Sequence, residues 1–141
     1  TVHARSAAAA FSRLIELGAD PHSVASAVTA VLGQRLVRVL CPDCKQPAPP
    51  APGGGAAWGP VGCPRCEMKG FRGRRGIFEI LELDEATARM VAGRSSAEEI
   101  RREAAQRCPQ TLYQAGMQMV RRGETTLTEV WRVTSPEADA G

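Results

Sequence analysis

Four cysteines occur as two pairs whose spacing suits metal binding. Cys41 and Cys44 form the first pair and Cys63 and Cys66 the second, with two residues inside each pair and residues 45–62 between the pairs. A two-residue gap lets both thiolates of a pair reach one ion, and two pairs complete the tetrahedron that zinc favours. The spacing therefore predicts one zinc ion per chain. Four protein ligands leave no open position, so we expect the metal to be structural.

Two other interpretations of these cysteines remain open. Disulfides or free thiols are disfavoured, because the sequence shows no secretion signal and intracellular thiols are kept reduced. Four sulfurs can also hold iron, but nothing beyond the ligands indicates redox chemistry. Thr1 is not an initiator Met, and we expect it to follow a cut inside a larger protein.

The composition indicates an ordinary globular protein. The 141 residues are 43% hydrophobic and 23% charged, which argues against a wholly disordered or fibrous chain. No apolar run approaches the roughly 20 residues that span a bilayer. The net charge is only +3, although Arg far outnumbers Lys, and aromatic residues make up 4%. Few stacking platforms are therefore available for bases, and we expect no nucleic acid partner.

Helical periodicity dominates the residues before the first cysteine. From Ala7 to Leu17 the apolar residues follow helical spacing, and Gly18 is a natural stop. Asp20 then offers an N-cap, and a second apolar stripe predicts a longer helix that ends near Cys41. The stripe consists of Val24, Val28, Val31, Leu32, Leu36 and Val39.

The residues between and after the cysteine pairs change character twice. Residues 45–62 are rich in Pro and Gly, which predicts a connector with neither helix nor strand. It is not a phosphate-binding loop, because neither Lys of the chain follows a Gly. Residues 76–83 predict a largely buried strand.

Helical signals return in the last third of the chain. Gly93 and Gly123 stand where helices stop, and three capping boxes mark helix starts. The boxes are Ser96 with Glu99, Thr111 with Gln114, and Thr126 with Glu129. We expect a small helical bundle.

Several motifs together resemble one protein family. They are Thr1-Val2-His3-Ala4, residues 34–41 (QRLVRVLC), the second cysteine pair, residues 70–79 (GFRGRRGIFE), and residues 123–134 from Gly-Glu-Thr-Thr to Arg-Val-Thr. In this order they are similar to the C-terminal part of the type II secretion and type IV pilus assembly ATPases, over nearly the whole chain. The resemblance implies an α/β fold: the C-terminal part of a RecA-like ATPase domain with an inserted four-cysteine zinc module and a C-terminal helical bundle.

The resemblance also implies domain boundaries. Residues 1–40 would end the RecA-like domain, residues 41–69 form the zinc module, and residues 70–84 return as a β segment. Residues 85–135 would be the helical bundle, and residues 136–141 a disordered tail.

The resemblance further implies a function and residue roles. Such proteins are cytoplasmic hexamers, peripheral at the inner membrane through platform proteins, that use ATP and Mg²⁺ to drive assembly of a pilus or pseudopilus. His3 would match the family's His box, beside the terminal phosphate of the nucleotide, where a His can donate to phosphate oxygens. Apart from the resemblance, Arg72, Arg74 and Arg75 form the densest basic cluster of the chain. Arg72 and Arg74 would contact phosphate or a neighbouring subunit, and the alternative is an ordinary solvated run of charge. Where the family usually has Thr, this chain has Arg75.

The family's phosphate-binding loop and acidic motifs lie upstream of its His box, so they would belong to an upstream ATPase half. Since phosphoryl transfer depends on that loop and a metal-holding acid, we expect the chain to be inactive alone. The alternative function is a free-standing zinc-ribbon adaptor or nucleic-acid-binding protein.

Overall fold

The computed structural model of the chain describes residues 2–4, 6–49, 57–105 and 110–134. The chain forms two compact units, one of Thr1–Gly33 with Glu79–Thr111 and one of Gln34–Phe78 with Leu112–Gly141. Helices and two small sheets occur together, as in a mixed α/β structure. In the described part of the chain, no helix is both long and apolar enough to cross a bilayer.

The first unit packs four helices around one apolar core. The helices are α1 (Ala7–Glu16), α2 (Pro21–Ala27), α3 (Glu85–Ala92) and α4 (Ala97–Ala105). Helix α1 ends just before Gly18 as predicted, and the side chain of Asp20 caps α2 by accepting from the Ser23 amide at 2.8 Å. The core contains Phe11, Val24, Leu81, Val91 and Ile100.

The second unit contains the cysteine module and the last two helices, α5 (Leu112–Arg121) and α6 (Leu127–Thr134). Helix α5 packs on one side against strand residues Val37 and Ile77. On its other side Val120 contacts Val130 of α6. Both helices therefore lie against the elements that carry the cysteines.

Two long strands pair with each other, β1 (Ala30–Leu40) and β4 (Phe71–Glu82). The Leu83 amide donates to the Thr29 carbonyl at 2.9 Å, and at the other end the Cys41 amide donates to the Gly70 carbonyl at 3.0 Å. The start of one strand thus meets the end of the other, so the pair is antiparallel. Strand β4 confirms the predicted strand over residues 76–83 and begins five residues earlier.

The predicted long helix after Asp20 is wrong beyond Ala27. Helix α2 ends there, and Ala30–Leu40 is a strand whose residues alternate between more and less exposed positions. Val and Leu at these positions satisfy a helical stripe and a strand alternation equally well. The β-branched residues and the pairing with β4 select the strand.

The Pro- and Gly-rich connector also differs from its prediction, because it contains two short strands, β2 (Gln46–Ala48) and β3 (Ala57–Gly59). They pair antiparallel, with Pro47 opposite Trp58.

The C-terminal third is helical, but its helices are divided between the two units. The Ser96 and Glu99 capping box is confirmed, since each residue's side chain accepts from the other's amide. Gly93 and Gly123 follow α3 and α5 as predicted. The predicted disordered tail, residues 136–141, lies outside the described residues.

Candidate metal centre

The four predicted ligands meet in one place. Cys41 follows β1, and Cys44 closes the next turn. Cys63 precedes a 3₁₀ turn over Pro64–Cys66, and Cys66 is its last residue. Their four sulfur atoms all lie within 4.8 Å of one another. Cys41 and Cys66 are buried, so the cluster is shielded on one side from solvent.

The sulfur spacing matches a tetrahedral metal site. The Sγ atoms of Cys41 and Cys63 are 3.9 Å apart, and the Sγ of Cys66 is 3.8 Å from those of Cys44 and Cys63. A zinc–sulfur bond of about 2.3 Å implies an edge of about 3.8 Å between sulfurs in a regular tetrahedron. These distances are far longer than the roughly 2.05 Å of a disulfide bond. The cluster therefore fits one metal ion with four thiolate ligands.

Hydrogen bonds from backbone amides lower the pKa of one of the four cysteines. The amides of Cys63 and Gly70 both donate to Cys66 Sγ at 3.2 Å. Burial raises the pKa of the Cys66 thiol, but these hydrogen bonds outweigh burial and hold the pKa at about 7. Burial instead raises the pKa of Cys41 to about 11, so metal uptake must displace its proton.

Two glycines allow the chain to fold tightly around the second pair. Gly62 has φ +109°, and a Cβ there would lie 2.6 Å from the Met68 carbonyl oxygen. Gly70 has φ +72°, and its Cβ would lie 3.0 Å from Pro60 Cα. A side chain at either position would strain the backbone and push the second cysteine pair out of place.

Two residues of the cysteine module contact the loop after α5. Lys45 donates from Nζ to the Gly123 carbonyl at 2.7 Å, and the same ammonium lies 4.9 Å from the centre of the Trp58 ring. Gly123 has φ +66°, and a Cβ there would lie 2.7 Å from Trp58 Nε1. We call Lys45, Trp58 and Gly123 the module clamp. A single large aromatic residue in a Pro/Gly connector was its only sequence signal.

A buried carboxylate joins α6 to β1 beside the module. Glu129 is 1% exposed and accepts from the Arg38 amide at 3.0 Å and from the Arg38 guanidinium at 2.8 Å. Arg132 donates to the same carboxylate at 2.7 Å. Burial alone raises the pKa of Glu129, but the hydrogen bonds from Arg132 and Arg38 hold it at about 2. The Thr126 hydroxyl accepts from the Glu129 amide, which is one half of the predicted capping box. The carboxylate that would form the other half binds Arg38 and Arg132.

The other predicted site residues lie apart from the cysteines. His3 is exposed and stands before α1, in the first unit. Arg72 and Arg74 are exposed in β4 on either side of Gly73, which has φ +78°, in the second unit. Within the described ranges, neither arginine has an ion pair, whereas Arg75 pairs with Glu124 at 2.6 Å.

The fold and the site define a mixed α/β protein with a four-cysteine metal module inserted between two paired strands. The profile of the family described as "Type II/IV secretion system protein" matches residues 1–132. The chain therefore belongs to this family.

Individual relatives agree with the family match. The chain is 37% identical over 145 positions to "Type II secretion system protein E" of Aeromonas hydrophila, and 34% identical over 149 positions to "Type II secretion system ATPase E" of Vibrio cholerae. It is 34% identical over 150 positions to "Type IV pilus assembly ATPase TfpB" of Acinetobacter baylyi. These alignments cover 95%, 95% and 94% of the chain but only 29%, 29% and 25% of the respective relatives. The chain thus spans less than a third of the length of these curated relatives.

Proposed function

We propose that this chain is the C-terminal portion of a cytoplasmic ATPase that powers type II protein secretion or type IV pilus assembly. The observation that carries the proposal is the family match over residues 1–132, with relatives whose names include an ATPase of each system. In this proposal the paired strands and the first helices end a RecA-like domain, and the whole protein assembles as a hexamer at the inner membrane.

The metal in this proposal is zinc with a structural role. Four thiolates at tetrahedral spacing suit zinc and leave no position for a substrate. Elemental analysis of the purified chain tests this, and we expect one zinc per chain. Cys63→Ser should abolish stoichiometric zinc, whereas Cys108→Ser, outside the four-cysteine set, should leave it unchanged. Iron in place of zinc, or equal zinc in both variants, would contradict the assignment.

The chemistry in this proposal needs an upstream nucleotide-binding half. The chain contains no Gly-Lys-Ser/Thr sequence to cradle phosphates, so it should not turn over ATP by itself. His3 would contact the terminal phosphate of ATP held with Mg²⁺, and Arg72 and Arg74 would bind phosphate or a neighbouring subunit. All three residues are exposed, and neither arginine has an ion pair within the part of the chain that the structure describes, which supports a role in binding.

A chimera tests the catalytic part of the proposal. The chain is joined to the upstream half of a type II secretion relative, and ATP turnover is measured. We expect turnover only in the chimera, and a loss of at least tenfold for His3→Ala, in line with the usual contribution of a positioned phosphate contact. His22→Ala is the matched control, since His22 is an exposed residue of α2. A chimera as active without His3 as with it would refute the role of His3.

Exposed apolar side chains support a further partner. Strands β1 and β4 expose Leu32 and Ile80 in the first unit and Leu36 and Phe78 in the second, each more than 40% exposed. Large apolar residues at such exposure are typical of surfaces that another chain covers. In the proposal, the upstream half and neighbouring subunits cover them, while platform proteins of the inner membrane bind elsewhere on the assembled ATPase.

A further inference from the structure

The start of α1 is tied to β4 by one carboxylate. Glu79 of β4 accepts through Oε1 a hydrogen bond of 2.7 Å from the backbone amide of Ala7, the first residue of α1. Ser6, the N-cap, accepts from the Ala9 amide at 3.2 Å. Two of the amides that a helix start leaves without intrahelical partners are therefore satisfied, one locally and one by a residue 72 positions away.

The charge of Glu79 strengthens the contact that its geometry makes possible. Helix α1 has no acidic residue in its first turn, although a negative charge there is favourable to the helix dipole. Glu79 supplies that charge from the neighbouring strand, in a partly buried contact. Hydrogen bonds to an ionised acceptor are roughly twice as strong as neutral ones. The bond is thus well suited to fix the first turn of α1 relative to β4.

Gly33 of β1 leaves the space that the Glu79 side chain occupies. A Cβ at Gly33 would lie 2.7 Å from Glu79 Cγ and 2.8 Å from Glu79 Oε1. Both distances are shorter than any ordinary van der Waals contact, so a side chain at position 33 would push the Glu79 carboxylate away from α1. The hydrogen bond therefore depends on two positions, one in each of the paired strands.

We infer that Glu79 is a positioning residue for His3. The inference rests on the proposed contact of His3 with phosphate. His3 lies within residues 2–4, which are neither helix nor strand, and the N-cap Ser6 is three positions after His3. By holding Ala7, Glu79 fixes the first residue of α1, four positions after His3, and Gly33 keeps the space that Glu79 occupies.

The test measures phosphate binding at His3 in the intact chain. The imidazole signals of His3 are followed by NMR during titration with inorganic phosphate, in the parent chain and in four variants. Glu79→Ala should raise the apparent dissociation constant at His3 by about tenfold, because the competent arrangement becomes a minor state. Gly33→Ala should weaken binding in the same direction. Glu79→Gln keeps an acceptor oxygen and should restore affinity to within about threefold of the parent. Glu82→Gln, an exposed neighbour in β4, should change nothing.

The outcomes separate this inference from the proposed function. Binding that is equal in the parent and in Glu79→Ala would overturn the positioning role and leave the phosphate contact standing. If His3 of the parent does not respond to phosphate, the proposed role of His3 fails. The ¹⁵N relaxation of residues 2–4 then tests whether Glu79 orders this segment. Greater motion in Glu79→Ala and Gly33→Ala, with order restored in Glu79→Gln, supports the inference. Unchanged relaxation in all variants overturns it.

Discussion

Replacing Glu129 with Gln tests how much the buried carboxylate stabilises the second unit. Its pKa lies at about 2 instead of 4.5, because hydrogen bonds from Arg132 and Arg38 outweigh the effect of burial. A difference of about 2.5 pKa units corresponds to about 3 kcal/mol of stability for the ionised form. Because the folded pKa is lowered, this contribution is complete above pH 4.5 and is lost as the pH falls towards 2. Glu129→Gln should therefore destabilise the unit by about 3 kcal/mol at pH 7 and by much less at pH 2.

The assay is urea unfolding followed by tryptophan fluorescence. Both tryptophans, Trp58 and Trp131, belong to the second unit, so the signal follows that unit. Acid also displaces bound metal by protonating its cysteine ligands, but that effect is common to parent and variant and cancels in their difference. Glu124→Gln is the control, since Glu124 forms partly exposed ion pairs with Arg75 and Arg122, each worth at most about 1 kcal/mol. A difference between parent and Glu129→Gln that does not change with pH would refute the reasoning.

Three further predictions concern packing and association. Gly123→Ala should destabilise the second unit by about 3 kcal/mol and shift the emission of Trp58 to the red, because the left-handed backbone and the indole contact both resist a Cβ; unchanged emission would contradict the module clamp. Gly116→Ala should cost about 1–3 kcal/mol in urea unfolding despite better helix propensity, since its Cβ would lie 2.5 Å from Val130 Cγ1. The double variant Gly116→Ala/Val130→Ala should lose less unfolding free energy than the two single variants lose together, because the smaller side chain at position 130 makes room for the new Cβ. Strictly additive losses would argue against this contact. The isolated chain should self-associate in high salt, and Phe78→Ser should weaken the association; light scattering that finds a monomer at all concentrations would contradict this.

The metal site could be predicted from the sequence because the ligands of each pair lie close together along the chain. Two residues between the cysteines of each pair fix their approach within one turn, and the structure confirms the convergence of all four. Helix α1 and the capping box of Ser96 could also be predicted, since each depends on residues within one or two helical turns. The family resemblance came from motif order, and the family match confirms it.

The features that were missed depend on partners far away in the chain. Residues 30–40 carry an apolar pattern that suits a helix or a strand, and the pairing with β4 decides between them. Glu129 looked like a capping residue, yet its carboxylate binds Arg38, 91 positions away. The contact of Glu79 with Ala7 spans 72 positions. No pattern within a window of ten or twenty residues contains these contacts.

The hydrogen bond from the Cys41 amide to the Gly70 carbonyl holds the two ends of the metal module side by side, so the module is an insertion between two paired strands. Residues 42–69 leave and re-enter the paired strands at neighbouring positions, as an ordinary hairpin turn does. Closing a loop of roughly 30 residues instead of two costs only about 2 kcal/mol more in chain entropy, whereas metal binding in small zinc modules contributes about 10–16 kcal/mol. In evolution, such an insertion can be gained, lengthened or exchanged for a short turn while β1 and β4 stay paired. The number of residues between the cysteine pairs can therefore vary. Among the described residues of this stretch, Lys45 and Trp58 restrict it through their contacts with Gly123, and so does the pairing of β2 with β3.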